Sequence, residues 1–342
     1  MILHSKPWIN EDDRKAVAET LLSGMIGQGE KVIEFENAFS DWVGGKGGVA
    51  ISSGAAAIYL ALQTLAVTKS NEIILPTYVC ESVLEAVLAS GAAPVLCDVG
   101  DNWVIEPGNI EKLISSKTAA IIVPHMYGIF ADVKSFKKFN FPVIEDCAQA
   151  VGDKKIDTIE SDIAIFSFHP TKCLTTGEGG MLVLKKNELL QKARTIRDGD
   201  KKNISARFLS PMSDIQASLG ISQLKRYPDF LKTRREIAGK YLTHLAAINM
   251  KLVNYEAKAS SMFFRLPVKI NGGTEKYIPL FEKEKIHVRK GVDKLLHRIL
   301  NLPDKNFPKA VELFETTVSL PLYPAMTEEE INHCLNTIKL LK

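Results

Sequence analysis

Lys172 has the setting in this sequence that most favours chemistry. It lies in segment 163–183, IAIFSFHPTKCLTTGEGGMLV, between an apolar strand-like run and a turn that contains three glycines. A turn of this kind holds a lysine against backbone, and burial there lowers the pKa of its amine and makes it a nucleophile. A lysine in a surface loop is the ordinary alternative. The neighbouring segments must decide between the two.

Two features of the sequence predict a site for a phosphate group. Ser167 ends the run DIAIFSF, which places its hydroxyl at the edge of a sheet. The segment AISSGAAAIYLALQTL is typical of a strand, a turn at Gly54 and a helix that begins with Ala55 and Ala56. Helix N-termini bind anions through free N–H groups and the helix dipole. Each feature alone is weak, because serine and glycine cap many ordinary helices.

The segment FPVIEDCAQAVG supplies an acid. An apolar strand ends there in Glu145 and Asp146, and Gln149 follows. A carboxylate at the end of a buried strand is costly unless a cation lies opposite it. A protonated pyridine nitrogen would be such a cation. An acid that caps the next helix is the alternative interpretation.

Seven apolar runs between residues 48 and 185 alternate with helix-patterned stretches. This alternation predicts βαβ units and a mostly parallel sheet covered by helices. Ligands of such sheets bind beyond the carboxyl ends of the strands. Small, polar or charged residues follow the runs, and we expect the chemistry at these strand ends: Ser52, Pro76, Asp98, His125, Asp146 and His169.

The C-terminal third of the chain has a different pattern. Residues 214–246 show helical spacing, and Pro228 breaks them into two helices. Strand, helix, strand and a final helix capped by Thr327 follow. The pattern predicts a large α/β domain over residues 1–230 and a smaller α+β domain over residues 231–342.

Composition excludes several classes of protein. The 342 residues are 46% hydrophobic, with 43 basic and 40 acidic side chains spread along the chain, which argues against a nucleic-acid surface. Five cysteines without ligand spacing predict neither a disulfide framework nor a metal site. No signal core and no apolar run of membrane-spanning length occur. We expect a cytoplasmic protein without a membrane or nucleic-acid partner.

Five segments in order, SSGAAAIYLAL, NEIILPTYVCESVLEAVLASGAAPVLCDV, VIEDCAQAVG, SDIAIFSFHPTKCLTTGEGGMLV and MSDIQASLGISQLKR, resemble the DegT/DnrJ/EryC1/StrS family of pyridoxal-phosphate-dependent sugar aminotransferases. The resemblance covers nearly the whole chain. It implies the aspartate-aminotransferase fold (fold type I), with a mostly parallel seven-stranded sheet in the large domain. It also implies homodimers with active sites shared between subunits.

The resemblance assigns chemical roles to three residues around pyridoxal 5'-phosphate. Lys172 would form a Schiff base with the cofactor aldehyde and move a proton between substrate and cofactor. Asp146 would pair with the pyridinium nitrogen. Gln149 would lie over the ring near its phenolic oxygen.

The cofactor phosphate would lie at the other end of the site. The Ser167 hydroxyl and the N–H groups of Ala55 and Ala56, which follow Gly54, would hold it. His169 would line the same pocket.

Some positions depart from the family pattern. Ala55 replaces a common threonine, and Cys80 replaces an aromatic residue that stacks on the cofactor, with Tyr78 two residues away. Leu209 and Pro211 stand where asparagine and arginine are usual. The segment RKGVDKLLHRIL is shorter than the GVHYPIPLH-like stretch of family members, and His297 would correspond to its histidine.

The implied activity is transfer of an amino group, from glutamate, to a nucleotide-linked keto sugar in the synthesis of amino sugars for polysaccharides or secondary metabolites. Two alternatives stay open: the same chemistry on a different keto acceptor, and a non-catalytic binding or regulatory protein on this fold. Dehydratases of the family carry histidine in place of the lysine, so Lys172 opposes that reading.

Overall fold

The computed structural model describes residues 1–152, 159–199, 210–248 and 262–339. Seven strands form the central sheet: β1 (Gly47–Ile51), β2 (Glu72–Pro76), β3 (Ala93–Cys97), β4 (Thr118–Pro124), β5 (Val143–Asp146), β6 (Ile163–Ser167) and β7 (Gly180–Leu184). Each corresponds to one of the apolar runs. All but β3 are almost entirely buried, as expected for strands with helices on both faces.

The strand order is β1-β7-β6-β5-β4-β2-β3. Only β7 runs antiparallel to its neighbours, pairing with β1 on one side and β6 on the other. The predicted mostly parallel, seven-stranded sheet is therefore confirmed. The strands β1, β2, β5 and β6 consequently run in one direction, and the turns that follow them share one edge of the sheet.

Helices cover this sheet and continue into the C-terminal part of the chain. They are α1 (Glu11–Ser23), α2 (Glu30–Trp42), α3 (Gly54–Thr64), α4 (Glu81–Ala89), α5 (Asn187–Asp198), α6 (Asp214–Lys225), α7 (Tyr227–Ala247), α8 (Thr274–Lys283), α9 (Leu296–Ile299), α10 (Pro308–Thr316) and α11 (Glu328–Ile338). As predicted, Pro228 separates two helices, and it occupies the first turn of α7, where a missing N–H costs nothing.

A second, antiparallel sheet has the order β8-β10-β9, with β8 (Leu266–Lys269), β9 (Arg289–Lys290) and β10 (Thr317–Leu320). The sequence pattern predicts a strand over the segment SMFFRLPVKI, and the strand β8 in the structure covers only its part Leu266–Lys269. Thr327 caps α11 through a reciprocal capping box with Glu330, as the sequence indicates.

Residues of α7 contribute to two hydrophobic clusters. Tyr227, Phe230 and Leu231 pack with the central sheet, whereas Ile237 and the following buried positions pack with the second sheet. The domain boundary at residue 230 stays a prediction. Ile2 belongs to the second cluster and forms a parallel bridge with Ile286, so the N-terminus of the chain reaches the C-terminal part.

Within the described ranges, no helix has the length and apolar character that crossing a membrane requires. The thiols of all five cysteines are free. The cytoplasmic location stays a prediction.

Candidate active site

A cavity of about 420 Å³ opens at the carboxyl ends of β5 and β6. Its lining contains eight of the nine residues predicted from the sequence: Gly54, Ala55, Cys80, Asp146, Gln149, Ser167, His169 and Lys172. These residues follow β1, β2, β5 and β6, the strands that run in one direction. The topology of the sheet therefore explains why segments more than 100 residues apart in sequence meet here.

The turn that carries Lys172 is fixed by backbone hydrogen bonds. The Lys172 N–H donates to the His169 carbonyl at 2.8 Å, and the Thr176 N–H donates to the Phe168 carbonyl at 3.0 Å. Gly177 has a φ of +83°, a conformation that side chains other than glycine rarely adopt. The lysine is thus held at the cavity wall, as its position before the glycines predicts.

The Lys172 amine is partly buried and lies over the ring of Phe264, with Nζ 5.3 Å from the ring centre. Burial lowers its pKa below the usual lysine value, and the positive charge of Arg265 lowers it further. Asp146 acts in the opposite direction. The net effect favours the neutral amine, which is the nucleophilic form.

Asp146 ends β5 and is almost fully buried. Burial raises the pKa of its carboxyl group, although the Ala148 N–H donates to Oδ1 at 3.0 Å and the charge of Lys172 favours the ionised form. A further cation in the cavity would stabilise the ionised form of this carboxyl group. The expectation of a costly acid at the end of a buried strand is met.

A buried pair lies next to Asp146. His125 Nε2 bonds to Glu145 Oε2 at 3.0 Å, and the Ala131 N–H donates to His125 Nδ1 at 3.1 Å. The ring nitrogen that accepts is therefore unprotonated, so Nε2 is the donor to Glu145. The Cys147 sulfur lies within 4.8 Å of a His125 nitrogen and a Glu145 carboxylate oxygen, so these three side chains could in principle hold a metal ion. Both His125 nitrogens already have partners, which gives the trio a structural role.

The other end of the cavity is a crossing of α3 and β6. A Cβ on Gly54 would lie 2.9 Å from the Ser167 Cβ, so glycine lets the start of α3 approach the end of β6. Gly180, the first residue of β7, likewise leaves room for the backbone carbonyl of Ser53, which a Cβ at Gly180 would meet. The N-terminus of α3, with its positive dipole end, and the Ser167 hydroxyl thus share one wall of the cavity.

One predicted contact differs in the structure. The Ala56 N–H donates to the Ser53 side chain at 3.1 Å as part of the helix cap, and Ala56 does not line the cavity. The N-cap serine takes up the N–H group that we expected to hold a phosphate. Gly54 and Ala55 remain as the first-turn residues that face the cavity.

Three further predicted residues lie on the remaining walls. Gln149 accepts from the Tyr127 N–H at 2.9 Å, which fixes its amide. His169 is exposed and bonds to Thr171 Oγ1 at 2.9 Å. Cys80 is exposed at the start of α4. All three stand at positions that a ligand in the cavity would contact.

Comparison with known protein families identifies the family of this chain. Residues 7–339 match the DegT/DnrJ/EryC1/StrS aminotransferase family. The chain belongs to this family. Membership confirms the predicted family, fold class and enzyme class.

Individual relatives agree along most of their length. The chain is 30% identical to the spore coat polysaccharide biosynthesis protein SpsC of Bacillus subtilis, over 98% of this chain and 96% of that protein. It is 32% identical to the GDP-perosamine synthase of Caulobacter vibrioides, over 72% of this chain and 70% of that protein.

Solved structures extend the agreement. The protein Spr1654 of Streptococcus pneumoniae, in its PLP form, superposes with a TM-score of 0.90 at 26% identity, over 99% of this chain and 97% of that one. Spr1654 has also been solved in its PMP form. Pyridoxal phosphate is the cofactor of this family, which confirms the cofactor prediction.

The residues of the cavity fit this cofactor by their chemistry. An amine of lowered pKa suits an aldehyde, a buried acid suits a ring nitrogen that must stay protonated, and a serine beside a helix N-terminus suits a phosphate. Lys172, Asp146 and Ser167 supply these three groups on one cavity. Bound pyridoxal phosphate would be held by them together with Gly54 and Ala55.

The structure also shows cavity residues that the sequence did not reveal. Arg265 directly precedes β8, and Arg289 begins β9, yet both line the cavity. The Phe264 ring makes cation–π contacts with both Lys172 and Arg265. A charged residue inside the apolar segment FFRLPV was the available signal for Arg265. Nothing in the local sequence distinguishes Arg289 from a surface arginine.

The departures from the family pattern have separate outcomes. Tyr78 is fully buried, bonds to the Tyr127 hydroxyl at 3.0 Å and does not line the cavity, so it does not compensate for Cys80. Pro211 forms a bridge with Ile51. Leu209 lies outside the described residues. His297 is buried, bonds to Thr77 and Asp304 and is absent from the cavity wall.

Proposed function

We propose that this chain uses pyridoxal phosphate to transfer an amino group from glutamate to a nucleotide-linked keto sugar. The observation that carries the proposal is the meeting of Lys172 and Asp146 in one cavity whose far wall is the start of α3 with Ser167. When bound, the cofactor supplies an electron-accepting ring that carries the amino group between two substrates. The protein must hold that ring and move protons around it.

Each side chain has a defined task in this reaction. Lys172 Nζ takes the proton from the reacting carbon of the donor and returns a proton to the acceptor, a role that requires a neutral amine near neutral pH. The negative charge of Asp146 would keep the ring nitrogen of the bound cofactor protonated. Gln149 and Ser167 orient the ring and the phosphate by hydrogen bonds. The partly buried position of Lys172 limits the access of water to the reacting atoms.

The keto-sugar acceptor rests on the relatives. One is named as a GDP-perosamine synthase and another as a spore coat polysaccharide biosynthesis protein. A nucleotide-linked sugar needs an open site, and the cavity reaches exposed residues at its rim, including Cys80, His169 and Asp293. The product would be an amino sugar for a polysaccharide or a secondary metabolite.

We also propose that the chain acts as a homodimer that shares its active sites. Large apolar side chains are exposed at the end of α1 and the start of α2: Leu21, Leu22, Met25, Ile26 and Ile33. An exposed apolar group of this density is typical of an interface. Light scattering of the purified protein at several concentrations tests this; a monomer at micromolar concentration would contradict it.

The central experiment is an absorption spectrum of the purified protein with added pyridoxal phosphate. We expect a visible band that Lys172→Ala lacks, and we expect glutamate to bleach it in wild-type protein. Keto sugars on several nucleotides, and simple keto acids for comparison, should then restore the band. A protein that binds no cofactor would instead support the binding-protein alternative, and restoration by keto acids alone would support a different acceptor.

A further inference from the structure

Two guanidinium groups line the cavity in addition to the residues that suit the cofactor. The Arg265 Cζ lies 5.1 Å from the centre of the Phe264 ring, over which the Lys172 amine also lies. Arg289 bonds to Asp293 at 2.8 Å, and Asp293 is exposed. Arg265 and the reacting amine therefore contact the same ring, and Arg289, which is partly buried and paired with an exposed acid, lies nearer to the cavity mouth.

Electrostatics agree with this order. Burial and then the charge of Arg265 lower the pKa of Lys172. Arg289 does act on Arg265, whose own pKa is lowered mainly by burial. One wall of the cavity thus carries two guanidinium groups, and the outer one, Arg289, is paired with Asp293. Two guanidinium groups in one wall can bind a ligand with two carboxylates, the outer carboxylate competing with Asp293 for Arg289.

We propose that Arg265 binds the carboxylate attached to the reacting carbon of the amino donor, and that Arg289 binds the second carboxylate of an α-amino dicarboxylic acid. This inference rests on the proposed function and identifies the donor class.

The covalent structure of the substrates indicates that Arg265 binds the amino donor and not the sugar acceptor. In an α-amino acid the carboxylate is bonded to the carbon that carries the amine, so it must lie close to Lys172 during the reaction. The diphosphate of a nucleotide sugar is several atoms away from the keto carbon and reaches the outer part of the cavity. Only the donor brings an anion to the position of Arg265. A guanidinium also matches a carboxylate with two parallel hydrogen bonds.

The test compares Arg265→Gln and Arg289→Gln with wild-type protein, all loaded with pyridoxal phosphate. Single-turnover bleaching of the visible band is measured with glutamate and with alanine, which lacks the second carboxylate. We expect Arg265→Gln to lower the second-order rate constant for both amino acids by about 10- to 100-fold, the usual effect of a lost charged hydrogen bond. We expect Arg289→Gln to lower it for glutamate by roughly 10-fold and to leave alanine within about twofold.

Equilibrium binding provides a readout without chemistry. Glutarate has both carboxylates and no amine, and its dissociation constant for the loaded enzyme is measured by calorimetry. Both variants should weaken it, by about 10-fold or more each. Arg298→Gln is the matched control, because Arg298 is exposed, pairs with Asp304 and does not line the cavity. Arg265→Lys keeps the charge and should recover part of the glutarate binding.

The inference is overturned if Arg265→Gln reacts with alanine at the wild-type rate, or if Arg289→Gln slows alanine as much as glutamate. Cofactor affinity of each variant is measured first, so that a loading defect is separated from a donor defect. If the loaded wild-type protein reacts with no amino acid, the proposed function fails. Glutarate binding then still decides: its loss in Arg265→Gln supports the carboxylate site, and unchanged binding contradicts it.

Discussion

Gly54 and Ser167 touch so closely that a Cβ on the glycine would lie 2.9 Å from the Ser167 Cβ. This contact joins the first residue of α3 to the last residue of β6, and both residues line the cavity. The distance between helix and strand is therefore set by the absence of a side chain. It determines the width of the proposed phosphate site.

Gly54→Ala should widen this site and weaken cofactor binding. The added methyl forces α3 or Ser167 to move, and a phosphate held by both loses hydrogen bonds worth about 1.5–3 kcal/mol each. We expect the dissociation constant of pyridoxal phosphate, measured by absorbance titration, to rise at least about 10-fold.

Gly239→Ala is the matched control for this change. Gly239 lies within α7, and a Cβ there would meet nothing within 4 Å. Alanine in a helix is favoured over glycine by roughly 0.5–1 kcal/mol, so this variant should be slightly more stable and bind cofactor normally. Unchanged cofactor affinity in Gly54→Ala would show that the phosphate does not lie at this crossing.

The pH dependence of cofactor capture should report the charges around Lys172. Its pKa is lowered by burial and by Arg265, and raised by Asp146, Cys80 and Cys173. Because only the neutral amine reacts, the capture rate of cofactor-free protein should level off below pH 10.5, the usual pKa of lysine. Arg265→Gln should move the profile to higher pH, and Asp146→Asn should move it to lower pH.

Stopped-flow absorbance after mixing with pyridoxal phosphate, from pH 6 to pH 10, measures these profiles. Lys172→Ala supplies the baseline. Shifts of both variants in the same direction would contradict the arrangement of one cation and one carboxylate on either side of the amine.

The central sheet and its catalytic edge were predictable because their signals are local. Each apolar run is short and ends in polar residues, and parallel strands place their carboxyl ends on one edge. Asp146 and Ser167 could therefore be assigned to one site before their distance was known. Gly54 follows β1, which runs in that direction, whereas Cys80 after β2 is predicted only by the family resemblance.

The arginines could not be predicted in this way. Arg265 directly precedes β8 and Arg289 begins β9 of the second sheet, more than 90 residues after Lys172, and no local pattern encodes how that sheet meets the first. The competition for the Ala56 N–H is a similar case. Ser53 and a phosphate are both acceptors for that group, and only the cap geometry shows that Ser53 takes it.

Cys80 should be the first cysteine to react with iodoacetamide in cofactor-free protein. Cys80 is exposed, whereas the other four cysteines are buried: Cys97, Cys147, Cys173 and Cys334. Burial raises the pKa of each of these four thiols, that of Cys334 to about 11, so fewer of them are in the reactive thiolate form. Mass spectrometry of peptides after brief treatment measures the order. Bound pyridoxal phosphate should slow the labelling of Cys80, because the thiol lines the cavity.

Cys80→Ser protein, treated identically, is the control and should carry little label at early times. Equal labelling of Cys173 and Cys80 would contradict the exposure of the two thiols. Unchanged labelling of Cys80 in the loaded protein would place the cofactor away from α4.

The last prediction concerns the buried pair beside Asp146. Burial alone would raise the pKa of Glu145, but hydrogen bonds from His125 and from the Ser161 N–H outweigh it and hold the pKa below 4.5. A carboxyl group with a lowered pKa in the folded state stabilises the protein above its unfolded pKa, and this contribution is lost as the pH falls through the folded value. Glu145→Gln removes the charge that these hydrogen bonds stabilise and should lower the free energy of unfolding at pH 7 by about 1.5–3 kcal/mol.

Urea denaturation at several pH values measures this effect. The difference between wild-type protein and Glu145→Gln should be constant above about pH 5.5 and should shrink below pH 4.5, where Glu145 of the unfolded chain takes up a proton while the folded chain still holds the carboxylate ionised. Glu111→Gln is the control, since Glu111 is an exposed partner of Lys138 and its loss should leave the denaturation midpoint unchanged. A difference that stays constant down to pH 3 would mean that Glu145 has the same pKa in the folded and the unfolded chain, and would contradict the stabilisation of its ionised form by these hydrogen bonds.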